Sequence, residues 1–179
     1  SRQAHARDVL AVGDKEGAGF RRPESDLDFY LLAEEYMTSG ERGRIDDYRR
    51  ALSVIRRALL LSPEPRFHLC VLGMHAASRL HERDAVDAFG IALEKRWPDR
   101  PPATFWRAYG MIALRRWNEA LPLLRKYLDV VPDDEVALSS LGSVLAASGD
   151  YAGADALFDR EIERQPRNAM YHTSYGWTL

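Results

Sequence analysis

The side chains in this 179-residue chain that could do chemistry are few and poorly grouped. His68 and His75 lie seven residues apart with Cys70 between them. Two metal ligands on one helix need a spacing of about three or four to reach the same ion. The other histidines, His5, His81 and His172, are isolated, so the pattern assigns all five to packing or solvent and predicts no metal. Asp155, Asp159 and Glu163 recur every four residues, which marks a solvated helix face rather than an acid–base pair. The glycines of GDKEGAG follow no apolar strand and lack the Gly-Lys-Ser ending of a phosphate cradle, and there is no nucleophile elbow or dinucleotide fingerprint. The sequence therefore predicts a non-catalytic protein with no cofactor.

Charge and composition narrow the partners. Arginine pairs at Arg49-Arg50, Arg56-Arg57 and Arg115-Arg116 raise the question of nucleic acid, but 25 basic residues stand against 27 acidic ones. A polyphosphate chain needs a continuous basic stripe, which this balance does not supply. Cys70 is the sole cysteine, so no disulfide closes within the chain. No apolar run approaches the roughly 20 residues that span a bilayer, and no targeting segment is visible. Membrane insertion is not expected, and cytoplasm and periplasm both stay open. Because the chain starts at Ser1 and stops at Leu179 inside a patterned segment, it reads as a piece of a longer protein.

The elements that carry these residues are set by a repeat. Ala51, Ala85, Ala120 and Ala154 are separated by 34, 35 and 34 residues. Four residues after each stands Ile55, Phe89, Leu124 or Phe158, and beyond these come Pro63, Pro98, Pro132 and Pro166. Upstream, Phe29-Leu32-Ala33-Tyr36, Leu69-Leu72-Gly73-Ala76, Trp106-Tyr109-Gly110-Ala113 and Leu138-Leu141-Gly142-Leu145 repeat at intervals of three, one and three, which places each set on one helical face. Each unit is thus a helical hairpin. A tiny residue in both helices lets them approach, and proline ends the second helix by removing an N–H and forcing a turn. Gly149-Asp150 and Ser39-Gly40 are expected to turn between helices. Residues 1–25 read as an N-terminal segment with a short helix over Arg7 to Val12 and an irregular linker.

Glu135 to Asn168, with its Leu-Gly, Gly-Asp-Tyr, Ala, Phe and Pro, strongly resembles the tetratricopeptide repeat. Units at about 26–64, 66–99, 101–134 and 135–168 follow the pattern, the first with about six extra residues and the third with a turn two residues shorter. Residues 169–179 open a fifth unit, whose lone helix would cover the apolar face of the fourth and could serve self-association. The resemblance implies an all-α, right-handed α-solenoid over 26–179.

It also implies a concave wall lined by the first helices. One position after the small residue, or three before it, side chains turn toward that wall: Tyr30 and Glu34, Cys70 and Met74, Arg107 and Met111, Ser139 and Ser143, and Thr173 and Trp177. Phe67, Met37 and Arg115 lie on the same side one turn away. The thioethers suit varied apolar partners, and Arg107 or Arg115 would hold an acidic group. The Lys and Asn that clamp a chaperone's terminal carboxylate in some relatives are absent. The expected function is a protein–protein interaction scaffold binding a peptide or protein segment in this groove, in assembly of a bacterial pilus, polysaccharide-export or secretion complex. Alternatives are a secretion chaperone for an effector segment, or the docking part of a longer enzyme.

Overall fold

The computed structural model describes residues 25–61 and 66–176, and among these the secondary structure is helical. The helices are α1 (Asp26–Glu41), α2 (Ile45–Leu61), α3 (Phe67–Arg79), α4 (Arg83–Arg96), α5 (Pro101–Ala113), α6 (Trp117–Leu128), α7 (Glu135–Ala147), α8 (Tyr151–Arg164) and α9 (Ala169–Gly176). They pack in consecutive pairs, as in a tetratricopeptide-like helical solenoid. The segment Arg7 to Val12 and Pro63 lie outside the described residues.

The chain divides into two compact units, one ending at Ala92 and the other beginning at Leu93, inside the last turns of α4. In the first unit α1 pairs with α2, and α3 packs on both. In the second unit α5 pairs with α6, α7 with α8, and α9 packs on α7 and α8.

All four hairpins turn in the same way. Each connection has three residues: Arg42-Gly43-Arg44, Leu80-His81-Glu82, Leu114-Arg115-Arg116 and Ser148-Gly149-Asp150. The middle residue is left-handed in every case, at φ 97°, 54°, 56° and 93°. Its N–H donates three residues back, and the next N–H donates five back: Arg44 to Ser39, Glu82 to Ala77, Arg116 to Met111 and Asp150 to Leu145. This satisfies helix-end carbonyls that would otherwise lack donors. Two sequence expectations are corrected here. Ser39-Gly40 lies inside α1, and Gly43 makes the turn. The third turn is not shortened, because the two missing residues come off the end of α5. Pro98, Pro132 and Pro166 do stand in the turns after α4, α6 and α8.

The start signals are equally local. Ser25 and Asp28 form a reciprocal cap at α1, with the Asp28 N–H donating to Ser25 Oγ (3.2 Å) and the Ser25 N–H to Asp28 Oδ2 (3.0 Å). Asp134 accepts from the Ala137 N–H and Asp150 from the Gly153 N–H, each at 3.0 Å. Such caps contribute about 1 kcal/mol each.

The small residues seat large ones. The Phe89 ring fills the space that a Cβ on Gly73 would need, and Phe158 does the same at Gly142. The first hairpin carries Ala33 and the narrower Ile55 at the matching repeat positions, both fully buried. Gly40 has a different task, giving the Tyr48 ring its seat. Phe158 joins Leu138, Leu145, Ala146, Ala154 and Tyr171 in the core of the fourth hairpin, so α9 contributes a ring to it. Side chains of this size contribute roughly 1.5–3 kcal/mol each on burial.

Candidate functional site

In the first unit the expected wall residues divide sharply. Tyr30 and Glu34 sit one turn apart on α1, and the Tyr30 hydroxyl donates to Glu34 Oε1 at 3.2 Å. Burial and the neighbouring carboxylate both hold the Tyr30 phenol above its ordinary pKa, so it stays a donor. From α3 the exposed His68 meets the Tyr30 ring in a T-shaped contact, at 6.1 Å between centroids and 70° between planes. Phe67 stands behind it, 5.7 Å from the His68 ring. Leu27 is 53 % exposed one turn upstream of Tyr30, and Leu31 is half-buried beside it. The Thr38 hydroxyl donates to the Glu34 carbonyl (3.0 Å), so it turns into its own helix.

Cys70 and Met74, expected on the same wall, are core residues at 1 % and 0 % exposure, and Phe67 and Met37 are buried as well. The Met74 methyl reaches α4 beside Gly90. Position along the helix alone does not decide exposure, because the packing of α3 against its neighbours covers these side chains. His68, assigned to packing or solvent from spacing alone, is the residue that joins Tyr30.

A polar cluster holds the α1–α2 connection. Asp47 is buried, accepts from Ser39 Oγ at 2.6 Å and pairs with Arg50 at 3.1 Å. The Arg79 guanidinium lies 5.6 Å from the Tyr48 ring centroid. His75 packs against the same ring at 6.4 Å. Burial pushes the His75 pKa below its ordinary value, Glu41 opposes the shift and Arg79 adds to it. The two histidines therefore serve different rings, His68 with Tyr30 and His75 with Tyr48. Among the described residues no three His, Cys, Asp or Glu side chains are placed to hold a metal ion.

In the second unit Arg107 pairs with Glu94 at 3.1 Å and is only partly exposed. Its charge is therefore already met within the protein. Met111 is buried at 7 % exposure. Arg115 is exposed, but it stands at the left-handed turn rather than on a helix face. Ser139 is buried, and Ser143 is exposed with its hydroxyl donating to the Ser139 carbonyl at 3.0 Å. Ser140 donates likewise to Val136 (2.6 Å) and Thr173 to Ala169 (2.8 Å). Hydroxyls on these first helices thus spend their protons on the helix and offer lone pairs outward. Exposed Val136 and Met170 accompany them. Trp177 lies outside the described residues. An aromatic cluster of Phe105, Trp106 and Tyr109 on α5 extends through Phe105 to Tyr127 on α6.

Tyr127 and Asp134 lock the junction between the third and fourth hairpins, the phenol donating to Asp134 Oδ2 at 2.6 Å. Burial and this carboxylate push the Tyr127 pKa up to about 12. At the equivalent register of α8 stands Glu161, fully buried and held by Arg160 (2.8 Å) and Arg164 (3.0 Å).

Two comparisons with known proteins bear on this arrangement. Residues 111–169 match the tetratricopeptide repeat family model. The chain is 31 % identical over 111 residues to the uncharacterized protein y4yS of Sinorhizobium fredii, covering 59 % of this chain and 61 % of that protein. The chain thus spans less than two thirds of the length of this relative. Repeats of this kind generally form non-catalytic interaction modules for protein or peptide partners. The match identifies tetratricopeptide repeats at residues 111–169, and the hairpin periodicity and consecutively paired helices of the chain support that assignment.

Proposed function

We propose that the protein is a non-catalytic scaffold that docks a segment of a partner protein on the exposed faces of its first helices. The observation that carries this reading is the surface shared by α1 and α3, where Leu27, Tyr30, Glu34 and His68 stand together at the protein surface. Aromatic rings beside one oriented polar group are the usual composition of a protein-recognition surface. In the second unit the first helices α7 and α9 present Val136, Ser143, Met170 and Thr173.

The burial of Cys70, Met74 and Met111 argues against a chaperone that cradles an unfolded apolar segment, because the thioether surface such a role needs is used inside the protein. A role in assembling a bacterial complex is the finer form of this proposal, supported by the bacterial origin of the relative. The test is capture of the partner by the native chain and by Glu34→Arg, Ser143→Trp and the second-helix variant Ser53→Trp, each shown to be folded by circular dichroism. First-helix variants should lose the partner, and Ser53→Trp should keep it. The opposite pattern would reject the proposal.

A further inference from the structure

We infer that the surface formed by Tyr30, Glu34 and His68 receives a cationic side chain, arginine or lysine, from a partner segment whose flanking residues are apolar. This rests on the first-helix docking reading above and specifies the chemistry of what docks there.

Charge is the first ground. The helix α1, DLDFYLLAEEYMTSGE, carries Asp26, Asp28, Glu34, Glu35 and Glu41 and no lysine or arginine. Glu34 and Glu35 are exposed, and among the described residues no cation pairs with Glu34. An acidic partner would meet repulsion here, and a basic one would be steered toward the face.

Geometry is the second ground and is independent of net charge. The phenol donates to one oxygen of Glu34 and thereby fixes the carboxylate beside the ring. A carboxylate accepts several hydrogen bonds, so the second oxygen remains available to an incoming N–H. A guanidinium or ammonium laid on the exposed side of Tyr30 would meet the negative face of the ring and the carboxylate together. His68, in T-shaped contact with the ring at 6.1 Å, borders this position. The Thr38 hydroxyl has turned its proton to the Glu34 backbone, so it does not compete as a donor to the carboxylate.

The apolar requirement comes from the flanks. Leu27 at 53 % exposure and the half-buried Leu31 lie one turn before and one residue after Tyr30. A segment running along α1 would place apolar side chains there while its cation sits over Tyr30.

The test is fluorescence anisotropy on the full chain with three short labelled peptides: one alternating leucine and arginine, its leucine–glutamate counterpart and its leucine–serine counterpart. The arginine peptide should bind most tightly, and raising NaCl from about 0.1 M to about 1 M should weaken it as the screening length falls from ~10 to ~3 Å. Glu34→Gln should weaken it about three- to fivefold, and Tyr30→Leu by a similar factor through loss of the ring. Tyr30→Phe keeps the ring and should lose less than Tyr30→Leu. Glu34→Lys should favour the glutamate peptide. Thermal melts establish that each variant is folded, and shifts in the Tyr30 and His68 NMR signals establish where the peptide sits.

If the serine or glutamate peptide binds this face as tightly as the arginine peptide, the cationic preference is wrong while docking on first helices survives. If no peptide moves the Tyr30 or His68 signals, both readings fall at this face. If the arginine peptide binds and Glu34→Gln and Tyr30→Leu leave its affinity unchanged, the assignment to these two residues is overturned.

Discussion

Arg115 stands in the third hairpin where Gly149 stands in the fourth, each in the left-handed region with φ at 56° and 93°. The backbone hydrogen bonds around them are the same, so the conformation belongs to the hairpin and not to the residue. A side chain with a Cβ is disfavoured there by about 1–2 kcal/mol, part of which glycine gives back through its freer unfolded chain. Arg115→Gly and His81→Gly should each raise stability by about 0.5–1 kcal/mol, and Gly149→Ala should lower it by a similar amount. Urea midpoints for the three variants check this, and a loss of stability in the first two would refute it.

The contact between Gly142 and Phe158 sets a second expectation. A methyl group on Gly142 would occupy the position of a fully buried ring. Gly142→Ala should therefore cost about 1–3 kcal/mol from overpacking, even though alanine is the better helix former. Gly73→Ala should behave alike against Phe89. Combining Gly142→Ala with Phe158→Leu should cost less than the two single changes summed, because the smaller side chain relieves the clash. Additive losses would show that the ring is not what excludes the methyl.

Three buried tyrosines should respond to loss of their hydroxyls in opposite directions. Tyr127 donates to Asp134, whereas the Tyr48 and Tyr171 hydroxyls are buried without a hydrogen-bond partner. Tyr127→Phe should cost about 1–2 kcal/mol by leaving the junction unlocked. Tyr48→Phe and Tyr171→Phe should raise stability by about 1 kcal/mol, since an unsatisfied buried hydroxyl is removed. Thermal unfolding of the three variants distinguishes these signs.

Stability should also fall at both ends of the pH scale through two identifiable groups. Tyr127 holds its proton to about pH 12 when folded. The unfolded phenol releases it near 10, so the folded state binds more protons between these values and stability declines as pH rises through this window. His75 has a lowered pKa when folded. Below about pH 6.5 the unfolded chain takes up a proton that the folded chain resists, so this contribution is lost as pH falls. Tyr127→Phe should flatten the alkaline decline, and His75→Gln should flatten part of the acid one, as measured by urea midpoints across pH.

The hairpins were legible in the sequence because their cause is local: the spacing of Gly142 to Phe158 or Gly73 to Phe89 is fixed by helix geometry and leaves a mark in residue type. The left-handed turns were half legible. Gly149 announced one, whereas His81 and Arg115 carry no composition signal, and Ser39-Gly40 misdirected the first because Gly40 serves packing against Tyr48. The site was less legible still. Tyr30, Glu34 and Ser143 lie on first helices and have accessible side chains. Cys70, Met74 and Met111 obey the same positional rule and are buried. What distinguishes them is which neighbouring helix covers each one, and that depends on packing between hairpins rather than on spacing within one. The pairing of Arg107 with Glu94 is of the same kind.

The central claim, that first helices carry the binding face, is most directly tested by site-specific photo-crosslinking in the native cell. A photoreactive residue is placed at Glu34 and Ser143 on first helices, and at Ser53 and Asp159 on second helices, all exposed. The expected result is one and the same partner protein crosslinked from Glu34 and from Ser143 and absent from Ser53 and Asp159. Crosslinks to that partner from Ser53 or Asp159, with none from Glu34 and Ser143, would contradict the claim.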